Sequence, residues 1–238
     1  MLIHALGLVA AALSVSLSWP QVYKSCVQRR TSGLSATACA LGVAMPIGWI
    51  TYGLLSGERI QVMTNVATGL AGLSILVALL ITQPALRTRR ALRVSAGSAG
   101  AVVTAALVSL GAAALPGVSG HAAASVLGML LAGVSFVSAI PQPLALLRNR
   151  NQDISGLSPL RWRLASGACA SWLTYGLLTG QPAVWSSALV GLTSALIVVT
   201  VLHVRRERPV VTEADLLASA RVCWRSSITT RNLAMAGI

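Results

Sequence analysis

The chain has 238 residues, 55% of them hydrophobic and only 10% charged, with a formal net charge of +13. A mean hydropathy of +0.76 excludes an ordinary water-soluble domain, in which about a quarter of the residues are charged. The basic excess does not read as a nucleic-acid footprint, which is a basic face on a soluble fold interleaved with aromatics. Here aromatics are 4% and the charges fall in short gaps between apolar blocks, so the lipid bilayer is the expected partner and nucleic acid is not.

Seven apolar blocks follow one another at about 2–19, 34–55, 61–82, 98–118, 121–140, 157–178 and 183–204. Each is close to the ~20 residues that cross the hydrocarbon core as a helix, so the predicted class is an all-α membrane protein with seven transmembrane helices. The first block has only His4 ahead of its apolar run and ends in Trp19-Pro20-Gln21. A signal peptide would have a positive start and a small-residue cleavage site, so this block reads as a retained helix. The fourth is interrupted by Pro116-Gly117, read as its exit from the membrane. Ala, Leu, Val, Gly and Ser fill the blocks, and the small ones let helices approach closely. Beyond the last block, residues 212–225 read either as a short amphipathic helix, with Leu217, Ala220 and Trp224 on one face, or as a plain basic tail.

The charges orient the bundle. Lys24, Arg29 and Arg30 follow block one; Arg87, Arg89, Arg90 and Arg93 follow block three. Arg148, Arg150, Arg161 and Arg163 follow block five, and six more arginines lie in the tail. Only Arg59, beside Glu58, falls on the other side. The positive-inside rule then puts the N-terminus outside and the C-terminus in the cytoplasm, in a multi-pass plasma (inner) membrane protein. That alternation requires an odd number of helices.

An internal repeat organises the blocks. Trp19-Pro20-Gln21 recurs as Ile140-Pro141-Gln142, and Ser32-Gly33-Leu34-Ser35 as Ser155-Gly156-Leu157-Ser158. Trp49-Ile50-Thr51-Tyr52-Gly53-Leu54-Leu55 recurs as Trp172-Leu173-Thr174-Tyr175-Gly176-Leu177-Leu178, and Gly69-Leu70 as Gly191-Leu192. Three helices are an odd number, so two such units joined directly would lie inverted. A fourth, unrepeated helix between them makes the units parallel, one of the recurring transporter designs. The expected divisions are 1–82 for the first repeat, 83–120 for a basic loop and linker helix, 121–204 for the second repeat and 205–238 for a basic cytoplasmic tail.

These signatures resemble the PQ-loop repeat superfamily, and the 3-1-3 layout resembles its SWEET-type sugar transporters. The Pro-Gln pairs, the Ser-Gly-Leu-Ser blocks and the Trp-x-x-Tyr-Gly blocks carry the resemblance, over residues 1 to about 204. It implies a solute pathway between two three-helix bundles, opened alternately to each side. Pro-Gln in both repeats is also similar to lysosomal amino-acid exporters and small bacterial half-transporters. In the sugar carriers an Asn on the third helix of each repeat contacts the solute. Asn65 fills that place here, and Ser187 stands at the aligned position of the second repeat, which makes the expected pocket asymmetric.

The residues also admit readings of their own. Pro20 and Pro141 break the turns before them and suit hinges or helix stops, with Pro46 and Pro143 adding further breaks. Gln21 and Gln142 can bond the freed carbonyls, help close an inner gate, or simply sit at the interface. Asn65, in an apolar run, must face the bundle interior or a wet cavity, as a solute contact or as interhelical glue. Trp49 and Trp172 stand three residues before Tyr52 and Tyr175 on one helical face, where flat rings could stack on a solute. The acids Glu58, Asp153, Glu207, Glu213 and Asp215 all lie outside the blocks, and His4, His121 and His203 at their edges. A proton-driven carrier needs an ionisable group at membrane depth, so passive movement is expected.

Cys26, Cys39, Cys169 and Cys223 lack metal spacing and read as reduced structural thiols. No nucleophile-base-acid set and no phosphate loop is visible, so neither an enzyme nor a cofactor is expected, and a homo-oligomer is left open. The primary expectation is a facilitative transporter of a small polar solute, most readily a sugar. The alternatives are a PQ-loop amino-acid transporter, proton-coupled or not, and a non-transporting receptor or scaffold on the same fold.

Overall fold

The computed structural model describes residues 2–31, 34–84, 88–148 and 159–206, and no strand occurs among them. The helices are α1 Leu2–Val22, α2 Ala36–Ser56, α3 Arg59–Thr82, α4 Arg89–Ala113, α5 Gly120–Ala139, α6 Pro141–Arg148, α7 Pro159–Leu178 and α8 Pro182–Arg206. Six of them, α1 to α5 and α8, are long and apolar enough to cross a membrane. α7 has the length, at 20 residues, but Arg161 and Arg163 in its first two turns lower its hydropathy. Residues up to Val201 form one packed unit, and Leu202 begins a second.

Local chemistry sets the helix ends. Ser35 caps α2 by accepting from the Ala38 N–H at 3.4 Å, and Ser119 caps α5 by accepting from Ala122 at 3.1 Å. At the far ends of α2 and α7 the chain turns through glycines in the left-handed region, Gly57 (φ 78°) and Gly180 (φ 64°), a conformation open to residues without a Cβ. Each turn is closed in the same way: the Glu58 N–H donates to the Gly53 carbonyl at 2.8 Å, and the Gln181 N–H to the Gly176 carbonyl at 2.8 Å.

Three segments depart from the sequence reading. α1 does not stop at Pro20: it continues to Val22 and then widens into a π-helical stretch, Tyr23–Val27. A proline removes one ladder bond without ending the helix when the chain beyond it finds other acceptors. The Gln21 side-chain amide donates to Ser25 Oγ at 2.9 Å across that stretch. α4 begins at Arg89, nine residues before the apolar block, because arginine is a good helix former wherever it sits relative to the membrane. Finally, the gap after α5 holds the short helix α6, with Pro141 at its first position, where a missing N–H costs nothing.

α1 packs on α3 and α7, while α2 packs on α3, α4 and α5, and α4 also touches α5. The buried cluster at the centre is small and aliphatic: Ala44, Val102, Ala106, Ala124, Leu127, Leu131, Ala183 and Val184, with Tyr52. The tightest crossing joins α2 to α3. Pro46 is buried inside α2 and cannot donate to the Gly42 carbonyl, and Gly72 of α3 lies so close that a Cβ there would collide with that oxygen. Cys26, Cys39 and Cys169 are free thiols. Ser32, Gly33, residues 155–158, the tail reading at 212–225 and Cys223 lie outside the described residues, as do the side chains of Pro141 and Gln142. Pro143 is buried within α6.

Candidate functional site

A cavity of about 300 Å³ lies inside the bundle. Its wall brings together Trp49, Trp172, Asn65 and Ser187, four of the residues singled out in the sequence, from four different helices. Residues at matching places in the two repeats face it in pairs: Ser14 with Ser135, Trp49 with Trp172, and Asn65 with Ser187. The remaining wall is Gln61, Thr64 and Thr68 of α3, Cys169 of α7, and Val184, Ala188 and Gly191 of α8. Among the described residues, α4 contributes none. None of these side chains is charged at neutral pH.

The two halves of the wall differ in chemistry. α3 presents an amide-rich edge, in which Asn65 Nδ2 donates to the Gln61 carbonyl at 2.8 Å and to Gln61 Oε1 at 3.2 Å. Those bonds fix the Asn65 amide and leave its Oδ1 without a partner among the described residues. Thr64 and Thr68 turn their hydroxyls back to the carbonyls of Ile60 and Thr64. α8 presents valine, alanine and glycine, with Ser187 as its polar group. The indoles differ too: Trp172 Nε1 donates to Ser14 Oγ at 3.0 Å, whereas Trp49 Nε1 has no partner among the described residues. Among the described residues, the wall side chains thus include three kinds of group without a partner: the Trp49 indole N–H, the Asn65 amide oxygen and the hydroxyls of Ser135 and Ser187.

Tyr52 and Tyr175 are not on the wall. Both are buried, at 4% and 3% exposure, and each meets its tryptophan edge-on, with ring centroids 5.4 Å apart for Trp49–Tyr52 and 5.5 Å for Trp172–Tyr175. Their hydroxyls reach across to the other repeat. Tyr52 Oη donates to Gln181 Oε1 at 3.1 Å, and Tyr175 Oη donates to Glu58 Oε2 at 2.6 Å. Gln181 Nε2 closes the set by donating to Glu58 Oε1 at 2.8 Å. Four side chains thus form a clasp one helical turn beyond the level of Trp49, Trp172 and Gln61. Glu58 stands at the N-cap position of α3 but makes no cap bond, so both its oxygens serve the clasp. Hydrogen bonds to a carboxylate are the strong kind.

Residues 2–62 match the PQ loop repeat family. The chain carries a PQ-loop repeat. The matched stretch runs from α1 to the start of α3, and so includes Pro20-Gln21, Trp49, Tyr52 and Glu58 of the clasp. No curated protein matches the chain. The PQ-loop dipeptide itself lies away from the cavity wall, where Gln21 bonds Ser25 and Pro20 precedes the π-helical stretch. Pro46 likewise sits at the α2–α3 crossing.

Glu58 and Gln181 were not recognised as site residues from the sequence, nor were Gln61, Ser14 and Ser135. A signal existed for the first two: Ser56-Gly57-Glu58 recurs as Thr179-Gly180-Gln181 at the same offset of 123 that relates Tyr52 to Tyr175. The same left-handed glycine turn delivers both side chains over the end of the cavity.

Proposed function

We propose that this chain is a facilitative transporter of a small uncharged polar solute, most readily a sugar of the kind carried by SWEET-type proteins. The observation that carries the reading is the cavity: paired aromatic and polar positions from both repeats, no charge among the described residues of its wall, and a clasp of breakable hydrogen bonds at one end. An amino acid would bring an ammonium and a carboxylate into a place with no opposing charge. Leaving a buried ion unpaired costs several kcal/mol, on the order of what binding can supply. A polyhydroxylated solute instead finds what it needs: flat indole faces for its C–H surfaces, and the Trp49, Asn65 and Ser187 groups for its hydroxyls.

Alternating access follows from how the clasp is wired. Tyr52 belongs to the first repeat and bonds the turn of the second; Tyr175 belongs to the second and bonds the turn of the first. Any rocking of one repeat against the other that widens this end must break both bonds. The ends of α1 and α5, where Pro20, Gln21, Pro141, Gln142 and Pro143 fall, are the proposed pivots and inner gate. All seven long helices span the membrane in this reading, α7 included, because Arg161 and Arg163 lie at its end and can reach the headgroups. The N-terminus and the clasp are then outside and the basic loops cytoplasmic.

Counterflow in proteoliposomes, with internal unlabelled solute drawing in labelled solute, tests the proposal. Neutral sugars or polyols should exchange, and Trp49→Ala should abolish the exchange. Exchange of zwitterionic amino acids with no sugar exchange would overturn it.

A further inference from the structure

On the outside of the bundle, a groove of about 480 Å³ runs between the π-helical stretch after α1 and the C-terminal half of α3. Leu73, Val77 and Ile81 form its floor, each substantially exposed. Cys26 Sγ, in contact with the Ser74 carbonyl at 3.6 Å, ties the two walls together. Arg29 lines the groove at the end away from the membrane centre. Its guanidinium has no hydrogen-bond or ion-pair partner among the described residues. Its backbone sits at φ 53°, and it is the one non-glycine residue with positive φ among those described. That turn is closed by the Arg30 N–H, which donates to the Lys24 carbonyl at 2.9 Å, as at other helix ends that pass through the left-handed region.

An apolar trough capped by a lone guanidinium matches one class of molecule: an amphiphile with an anionic head and hydrocarbon tails. We propose that this groove holds one anionic phospholipid, with its phosphate on Arg29 and an acyl chain along Leu73, Val77 and Ile81. The side of the bundle agrees, because Lys24 and Arg30 flank Arg29 and make this end attractive to negative headgroups. Guanidinium suits the role through its paired donors, which fit a phosphate bidentately. The lipid would brace the π-helical stretch against α3, at the end of the bundle opposite the Tyr–Glu–Gln clasp.

Native mass spectrometry of the full chain in neutral detergent, titrated with phosphatidylglycerol or phosphatidylcholine, tests this. The wild type should retain phosphatidylglycerol in preference to phosphatidylcholine. Arg29→Gly, which removes the charge, should weaken phosphatidylglycerol retention about fivefold, the worth of one basic residue at a charged surface, and weaken phosphatidylcholine, whose choline offsets the phosphate charge, by less. Val77→Trp should weaken it with every charge in place, because the indole fills the trough. Arg30→Gln should leave the preference intact. Equal retention of the two lipids by the wild type would overturn the proposal. So would loss of preference in Arg30→Gln with none in Arg29→Gly, which would mean diffuse charge and no built site.

Discussion

Removing one hydroxyl from the clasp should open that end of the cavity by a calculable amount. Tyr175→Phe deletes the 2.6 Å bond to Glu58 and leaves the ring against Trp172. A hydrogen bond to a charged group contributes about 1.5–3 kcal/mol net of hydration. At ~1.4 kcal/mol per factor of ten, the open-to-closed ratio should rise roughly ten- to hundredfold. Tyr52→Phe deletes a neutral bond, 3.1 Å to Gln181, which contributes ~0.5–1.5 kcal/mol, so its ratio should rise about two- to tenfold. The assay is the rate at which an impermeant thiol reagent, added outside, labels a Ser187→Cys variant in a background without other cysteines. While the open state is minor, that rate is proportional to its population. Tyr175→Phe should label faster than Tyr52→Phe, and both faster than the parent. Equal rates in all three, or the reverse order, would show that the clasp does not hold this end shut.

Asn65→Ala should lower transport severalfold while leaving the yield of folded protein in the membrane unchanged, because it removes a cavity acceptor with no other partner; collapse of the folded yield would instead make the amide structural glue. Gly72→Ala should lower the thermal unfolding midpoint of the purified protein, at a cost of about 1–3 kcal/mol, because its methyl meets the Gly42 carbonyl. Gly42→Ala, whose methyl points into open space, should be neutral or slightly stabilising, and the same melting experiment checks both. Single-cysteine labelling of intact cells should reach Glu58→Cys from outside and leave Arg90→Cys protected; the opposite pattern would invert the proposed topology.

The elements that lipid selects were legible in the sequence, and those that hydrogen bonding places were less so. Apolar runs located the long helices to within a few residues, because a spanning segment must be continuous and uncharged. α4 was misjudged at its start because its first turns are helical without being apolar. Trp49, Trp172, Asn65 and Ser187 could be grouped because the repeat puts them at matching depth, and the cavity collects all four. The tyrosines were read as solute contacts, since a ring three residues from a tryptophan shares its face. Their hydroxyls point one turn further on, to side chains that only the Gly57 and Gly180 turns bring within reach. Glu58 was set aside as a loop acid for the same reason, because nothing in its spacing says whether a turn residue faces water or the bundle. The π-helical stretch after Pro20 had no sequence signal beyond the proline itself.

Glu58 bears on energetics as well. Its carboxylate is bonded within the clasp, to Tyr175 and Gln181, and it is not among the residues of the cavity wall. Driven accumulation needs a group that meets both sides in turn, and among the described residues the cavity wall contains no carboxylate and no histidine. The most direct measurement is therefore uptake of a labelled neutral sugar, identified by counterflow, into proteoliposomes with and without an imposed pH gradient. Entry should stop when inside and outside concentrations are equal, at the same plateau in both conditions. Accumulation above the outside concentration that collapses when a protonophore is added would contradict it.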